Sequence, residues 1–165
     1  MLCLRDTRII NKKEDYMLSK ATRRIFQEVT VFGGIIFYLL VILLFLILGK
    51  FNHALILFVA LVIIYFVTWI IRSLYFKKRP KEMEYKSYLG KLDASSFPSV
   101  HAARITFLFL FTLIMFTSNI LLVGLALIMC IGVIYSRIYL KKHFITDIIG
   151  GIILGIFALV SFLIV

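Results

Sequence analysis

The chain alternates between long apolar runs and short polar breaks, and the lengths of the runs decide its class. A helix that crosses a bilayer needs roughly 20 mostly apolar residues. Thr30–Gly49, Ala54–Ile71, Asn119–Tyr135 and Phe144–Val165 supply such runs. Ile105–Thr117 is shorter. It reaches spanning length if its helix starts near Pro98 or Ser99 and carries His101 and Arg104 in its first turns. The pattern predicts an all-α, polytopic transmembrane helical bundle of about five spans. Lys50–His53 and Ser118–Asn119 are tight turns, so spans one and two, and three and four, form antiparallel hairpins. Residues 1–29, the loop 72–98 and the turn 137–143 then share the opposite membrane side. In the first of these, Met17, Leu18, Ala21, Ile25 and Val29 recur at helical spacing, with Lys20, Arg23, Arg24 and Gln27 between. This suits an amphipathic helix lying on the membrane surface. The expected organisation is a polar N-terminal segment, 1–29, and a transmembrane domain, 30–165.

Composition sharpens the picture. The chain is 62% hydrophobic with a mean hydropathy of +1.06, which excludes an ordinary soluble domain. Net charge is +11. Of the 19 Lys and Arg, only Lys50 falls on the tight-turn side. Basic residues flanking spans set topology rather than bind nucleic acid, and their bias places the polar loops in the cytoplasm of a cell-membrane protein. Residues 1–28 hold no apolar run, so no cleavable signal peptide is expected. Cys3 and Cys130 lie in a polar tail and a mid-membrane segment, so neither a disulfide nor a cysteine metal site is expected. Oligomeric state leaves no mark on the sequence.

Three polar clusters meet on the loop side: Arg72–Pro80, Ser95–Arg104 and Ser136–Asp147. Ionisable residues at span ends facing one compartment are functional-site candidates. Arg72, Arg79 and Arg137 are fork-shaped, permanently charged donors suited to phosphate oxygens. The start of the third span aims backbone N–H groups of residues 99–101 at the same space, and the Ser99 hydroxyl adds a donor. Two histidines, His101 and His143, then flank a bound anion. Asp147 lies four residues after His143, on one helix face if both are helical, and can hold its imidazole in one tautomer. That assigns His143 as nucleophile and His101 as general acid. No set of carboxylates suits magnesium, and no cofactor is expected.

These clusters resemble the motifs of the type 2 phosphatidic acid phosphatase (lipid phosphate phosphatase) superfamily, which shares its fold with vanadium haloperoxidases. The family pattern is Lys-x6-Arg-Pro, Pro-Ser-Gly-His and Ser-Arg-x5-His-x3-Asp. Here it reads Arg72-x6-Arg79-Pro80, Pro98-Ser99-Val100-His101 and Ser136-Arg137-x5-His143-x3-Asp147. The resemblance implies an acid phosphatase/vanadium haloperoxidase-like core and a metal-independent lipid phosphatase. Its substrate would be a lipid phosphate monoester or an isoprenyl diphosphate, cleaved through a phosphohistidine at His143. It further implies that Arg72, Arg79, Ser99, the Val100 amide and Arg137 hold the phosphate. Two positions depart from the pattern: Arg72 stands for lysine and Val100 for glycine. A β-branched residue resists positive φ, so the Val100 amide can serve only from a helix-like backbone. A phosphotransferase using the same intermediate is the nearest alternative. A non-enzymatic membrane protein, or a transporter relaying ions through Asp147, is the more distant one.

Overall fold

The computed structural model describes residues 20–80 and 86–163. Met17, Leu18 and Cys3 lie outside them. Every regular element in the described residues is helical: α1 (Lys20–Gly33), α2 (Ile35–Ile47), α3 (Phe51–Leu74), α4 (Tyr88–Ala94), α5 (Val100–Met115), α6 (Ile120–Tyr139) and α7 (Ile145–Leu163). The exposed faces are apolar, with Ile36, Leu55, Phe66, Ile128 and Ile153 each at least half exposed. Such a surface is stable against lipid rather than water. α3, α6 and α7 are long and apolar enough to cross a membrane alone.

α5 is the axis of the bundle and packs against α3, α6, α7 and the last turn of α1. Its 16 residues span roughly 24 Å, short of the roughly 30 Å hydrocarbon core. Its neighbours shield it, so it need not match the bilayer thickness itself. Ala102, Ala103, Ile105, Phe107, Leu108 and Phe111 are buried against them. The Gly151-x-x-x-Gly155 pair lies against α5. A Cβ on Gly151 would stand 2.4 Å from the Ser99 carbonyl oxygen, and one on Gly155 2.6 Å from that of Ala103. The small-residue motif therefore serves packing within the monomer, as small residues do between membrane helices.

The first apolar run is not one straight helix. α1 closes in a 3-10 turn at Thr30–Gly33, Gly34 is extended, and α2 leaves at 46°. The cause is the Gly33-Gly34 pair. Gly33 packs so tightly that a Cβ would come 2.6 Å from Val133 Cγ1 and 3.2 Å from the His101 ring. Only a bare backbone permits that approach, and the chain bends to make it. N-terminal to the bend, Phe26 packs on the rings of Tyr135 and Tyr139 of α6, at 5.2 and 4.6 Å. Ala21 and Ile25 of the expected apolar stripe remain exposed. α2 ends in a Schellman turn at Gly49, φ 68°, where the Lys50 N–H donates to the Phe45 carbonyl at 2.8 Å. This reverses the chain into α3 as the tight-turn reading requires.

Candidate active site

The polar ends of α3, α5 and α6 meet the α1–α2 bend. α6 runs one turn further than its apolar stretch, so Ser136 and Arg137 are helical rather than part of a turn. It then closes in a second Schellman turn. The Lys142 N–H donates to the Arg137 carbonyl at 3.0 Å, and Lys141 takes the left-handed position at φ 54°. The chain folds back and sets His143 over Arg137, with Nε2 3.4 Å from Nη2. Arg137 Nη1 donates to the Thr30 hydroxyl at 3.1 Å, which ties α6 to the bend.

α7 begins only at Ile145, so His143 precedes the helix and does not share a face with Asp147. The expected direct His143–Asp147 hydrogen bond is absent: Nδ1 to Oδ2 is 3.8 Å. Oδ2 instead accepts from the Phe144 N–H at 2.8 Å, half of a capping box that starts α7. The same oxygen accepts from the Ser96 hydroxyl, and Lys77 Nζ donates to Oδ1 at 2.6 Å. His143 Nδ1 donates to the Ser96 carbonyl at 2.9 Å. Ser96 thus stands between the two residues, its carbonyl on the imidazole and its hydroxyl on the carboxylate. Lys77 covers Asp147 from beneath the rings of Phe97 and Phe144, at 5.9 and 5.1 Å. Nothing in the sequence separates Ser96 from Ser95, or Lys77 from Lys78.

The contacts of His143 demand one tautomer, with the proton on Nδ1 and a lone pair on Nε2. Burial, then the charges of Arg137 and Arg79, push its pKa down to about 3. The ring is therefore neutral at physiological pH. Unfolded, it would bind a proton below about pH 6.5. Folding excludes that proton, so this group removes stability as pH falls from there toward 3. We expect the His143 ring nitrogens of the ligand-free protein to show no titration by NMR between pH 5 and 8. A midpoint near 6.5 would contradict the buried, cation-flanked setting.

Two further arginines brace the loop ahead of α5. Arg72 donates to the Leu92 and Pro98 carbonyls, both at 3.0 Å, and Arg79 donates to the Asp93 carbonyl. They satisfy carbonyls at the end of α4, a short helix within the loop expected at 72–98. Ser99 is the N-cap of α5, its hydroxyl accepting from the Ala102 N–H at 3.5 Å and its own N–H donating to the Asp147 carbonyl at 3.0 Å. Val100 is the first residue of α5, with the helix-like backbone its amide needs. Lys141 is the only non-glycine residue with positive φ among the described residues.

One cavity of about 550 Å³ collects Arg72, Arg79, Val100, His101, Arg137 and His143. Ser99 and Asp147 are fully buried behind its wall. Arg104, Tyr65 and Thr30, to which the sequence assigned no site role, line it too. No cluster of three metal-ligating side chains occurs among the described residues.

No curated protein matches the chain. The fold is similar to that of Aquifex aeolicus LpxE, with a TM-score of 0.71 at 17% identity over 88% of this chain and 87% of that one. It is also similar to a transmembrane PAP2 type phosphatidylglycerolphosphate phosphatase from Bacillus subtilis, with a TM-score of 0.66 at 18% identity over 93% and 87%. The pattern of the PAP2 superfamily matches residues 53–165, the stretch from α3 onward that carries all three polar clusters. A helical membrane bundle with those clusters gathered at one cavity, and a family match across most of its length, make this chain a member of the PAP2 superfamily.

Proposed function

We propose that the protein is a metal-independent membrane phosphatase that releases phosphate from a lipid phosphate ester or anhydride through a phosphohistidine at His143. One observation carries this reading. The Nε2 lone pair of a neutral, hydrogen-bonded imidazole lies at a cavity lined by four arginines and a second histidine. In the first half-reaction the Nε2–phosphorus bond forms and the bond to the lipid oxygen breaks, with His101, which takes up a proton together with the bound phosphate dianion, giving that oxygen its proton. In the second, water attacks phosphorus as His101 takes its proton, and the Nε2–phosphorus bond breaks. Arg72, Arg79, Arg137 and the Val100 amide offset the charge on the phosphoryl oxygens, the role preorganised donors play in such transfers. Val31, Ile35 and Ile36 line the same cavity and are partly exposed on the bundle's outer face, an apolar path suited to a lipid tail.

The test is phosphate release in detergent from phosphatidate, phosphatidylglycerol phosphate and an isoprenyl diphosphate, with EDTA present throughout. Turnover of at least one is expected. Activity seen without EDTA and lost completely with it would refute the metal-free route.

In the same reading, residues 20–29, the described part of the N-terminal segment, lie at the membrane interface, and the cavity faces the cytoplasm of the cell membrane. The exposed Lys20, Arg23 and Arg24 support it. In a cysteine-free background, a membrane-impermeant maleimide should label Asn52→Cys on intact cells and Ser87→Cys only after permeabilisation. The reverse pattern would invert the orientation.

A further inference from the structure

Arg104 is the most heavily buried charge in the bundle that neither the motifs nor the proposed chemistry uses. It is 3% exposed, in the central helix. Burying a guanidinium costs several kcal/mol unless good partners replace water. Here Nη1 donates to the Tyr65 hydroxyl at 3.0 Å, the Tyr65 ring lies 5.7 Å away, and Nε has no partner. No carboxylate pairs with it among the described residues. Its neighbours on α5, Ile105 and Leu108, show that an aliphatic side chain suits this depth. A permanent, half-satisfied cation there needs an anion that arrives from outside.

Its position says which anion. Arg104 comes one turn after His101, so it shares that face about 4.5 Å deeper in the bundle. Tyr65 comes two turns before Arg72 on α3, about 10 Å deeper. Both line the cavity that holds His143. Tyr65 is 41% exposed on the outer face, where a lipid tail would leave. The cavity lining carries Arg72, Arg79, Arg104, Arg137 and Lys142 against the single carboxylate of Asp93. A phosphate monoester brings at most about two negative charges. The arginines around His143 already match it, and Arg104 is left one tier below.

We propose that Arg104, held by Tyr65, reads a second phosphoryl group on the tail side of the scissile one, so that the enzyme selects lipids bearing two phosphates. This rests on the phosphatase reading. With a diphosphate, the Nε2 bond forms to the terminal phosphorus, the anhydride bond breaks, and the bridging oxygen leaves on a lipid monophosphate whose growing charge Arg104 offsets. With a phosphodiester further along the headgroup, Arg104 binds that group while the terminal ester is cleaved.

The experiment compares kcat/KM of the full-length wild type, Arg104→Gln and Arg104→Lys in detergent. The substrates are an isoprenyl diphosphate, phosphatidylglycerol phosphate and phosphatidate. Arg104→Gln should lose about tenfold or more on a two-phosphate lipid relative to phosphatidate, the range for a buried charge-assisted hydrogen bond. Arg104→Lys should recover part of the loss. A loss confined to the diphosphate identifies the anhydride as the source, and one confined to phosphatidylglycerol phosphate identifies the diester. Equal losses on all three, or none, overturn the proposal. If Arg104→Gln does not fold, the wild type decides. An alkyl bisphosphonate should inhibit it about tenfold more tightly than the alkyl phosphonate of equal chain length, and equal inhibition overturns the proposal. A wild type that cleaves none of the three lipids ends the phosphatase reading and this inference together, whereas cleavage without discrimination by Arg104 ends the inference alone.

Discussion

His143→Ala should abolish phosphate release, lowering kcat by roughly five or six orders of magnitude, the usual cost of deleting a covalent nucleophile. The size follows from geometry. Nδ1 is fixed by the Ser96 carbonyl, so Nε2, whose only contact is the long one to Arg137, is the ring nitrogen of His143 left with a lone pair for phosphorus. His101 sits at the start of α5, packed against Gly33, and cannot take its place. Brief mixing with a 32P-labelled lipid phosphate should trap an acid-labile, base-stable phosphoprotein in the wild type and none in His143→Ala. The variant leaves the Ser96 carbonyl and the Arg137 guanidinium without a ring between them. A modest drop in melting temperature should accompany the loss, but a folded protein should remain. Turnover within tenfold of wild type would end the assignment of His143.

Asp147→Asn should be the second most damaging change, costing about a hundredfold in kcat, the scale of a small displacement of a reacting group. Its carboxylate accepts from three donors: the Phe144 N–H, the Ser96 hydroxyl and Lys77 Nζ. An amide of the same shape has one accepting oxygen and one donating nitrogen. Whichever way it turns, a donor faces a donor. Either Lys77 is released, or the Ser96 and Phe144 contacts fail and the start of α7 loosens. His143 still keeps the Ser96 carbonyl, so the variant retains turnover that His143→Ala lacks. The measurement is kcat beside melting temperature, with phosphoprotein trapping as a third readout. A loss as deep as that of His143→Ala would mean that Asp147 acts on the imidazole directly. An unchanged kcat would reduce the network to a helix cap.

Part of this site is readable from residue types in order. Arg137, His143 and Asp147 stand out because charges at the edges of apolar runs are costly and few. Their spacing, with that of Arg72, Arg79 and His101, matches a known motif set. The wiring between them is not readable in the same way. The spacing of His143 and Asp147 suggested a shared helix face, but the helix starts two residues after His143 and the link passes through Ser96. Lys77 is one of several basic residues that follow the second apolar run, and its role appears only where α3 ends beside α7. The first span looked continuous because hydropathy does not register a Gly-Gly bend. Arg104 was visible as a charge near a span end, with no sign that it would enter the cavity.

The sequence by itself determined the membrane class, the helical architecture and the gathering of the polar clusters at one end of the bundle. Those properties come from run lengths, and run lengths are local. The tertiary structure alone decided which atoms meet. Ser96 and His143 are 47 residues apart, Lys77 and Asp147 70, and Thr30 and Arg137 107. Such contacts depend on how far each helix runs, where it bends and which face it turns inward. Close packing around glycines and the ends of α6 and α7 settle those matters, and a pattern read along one dimension does not contain them.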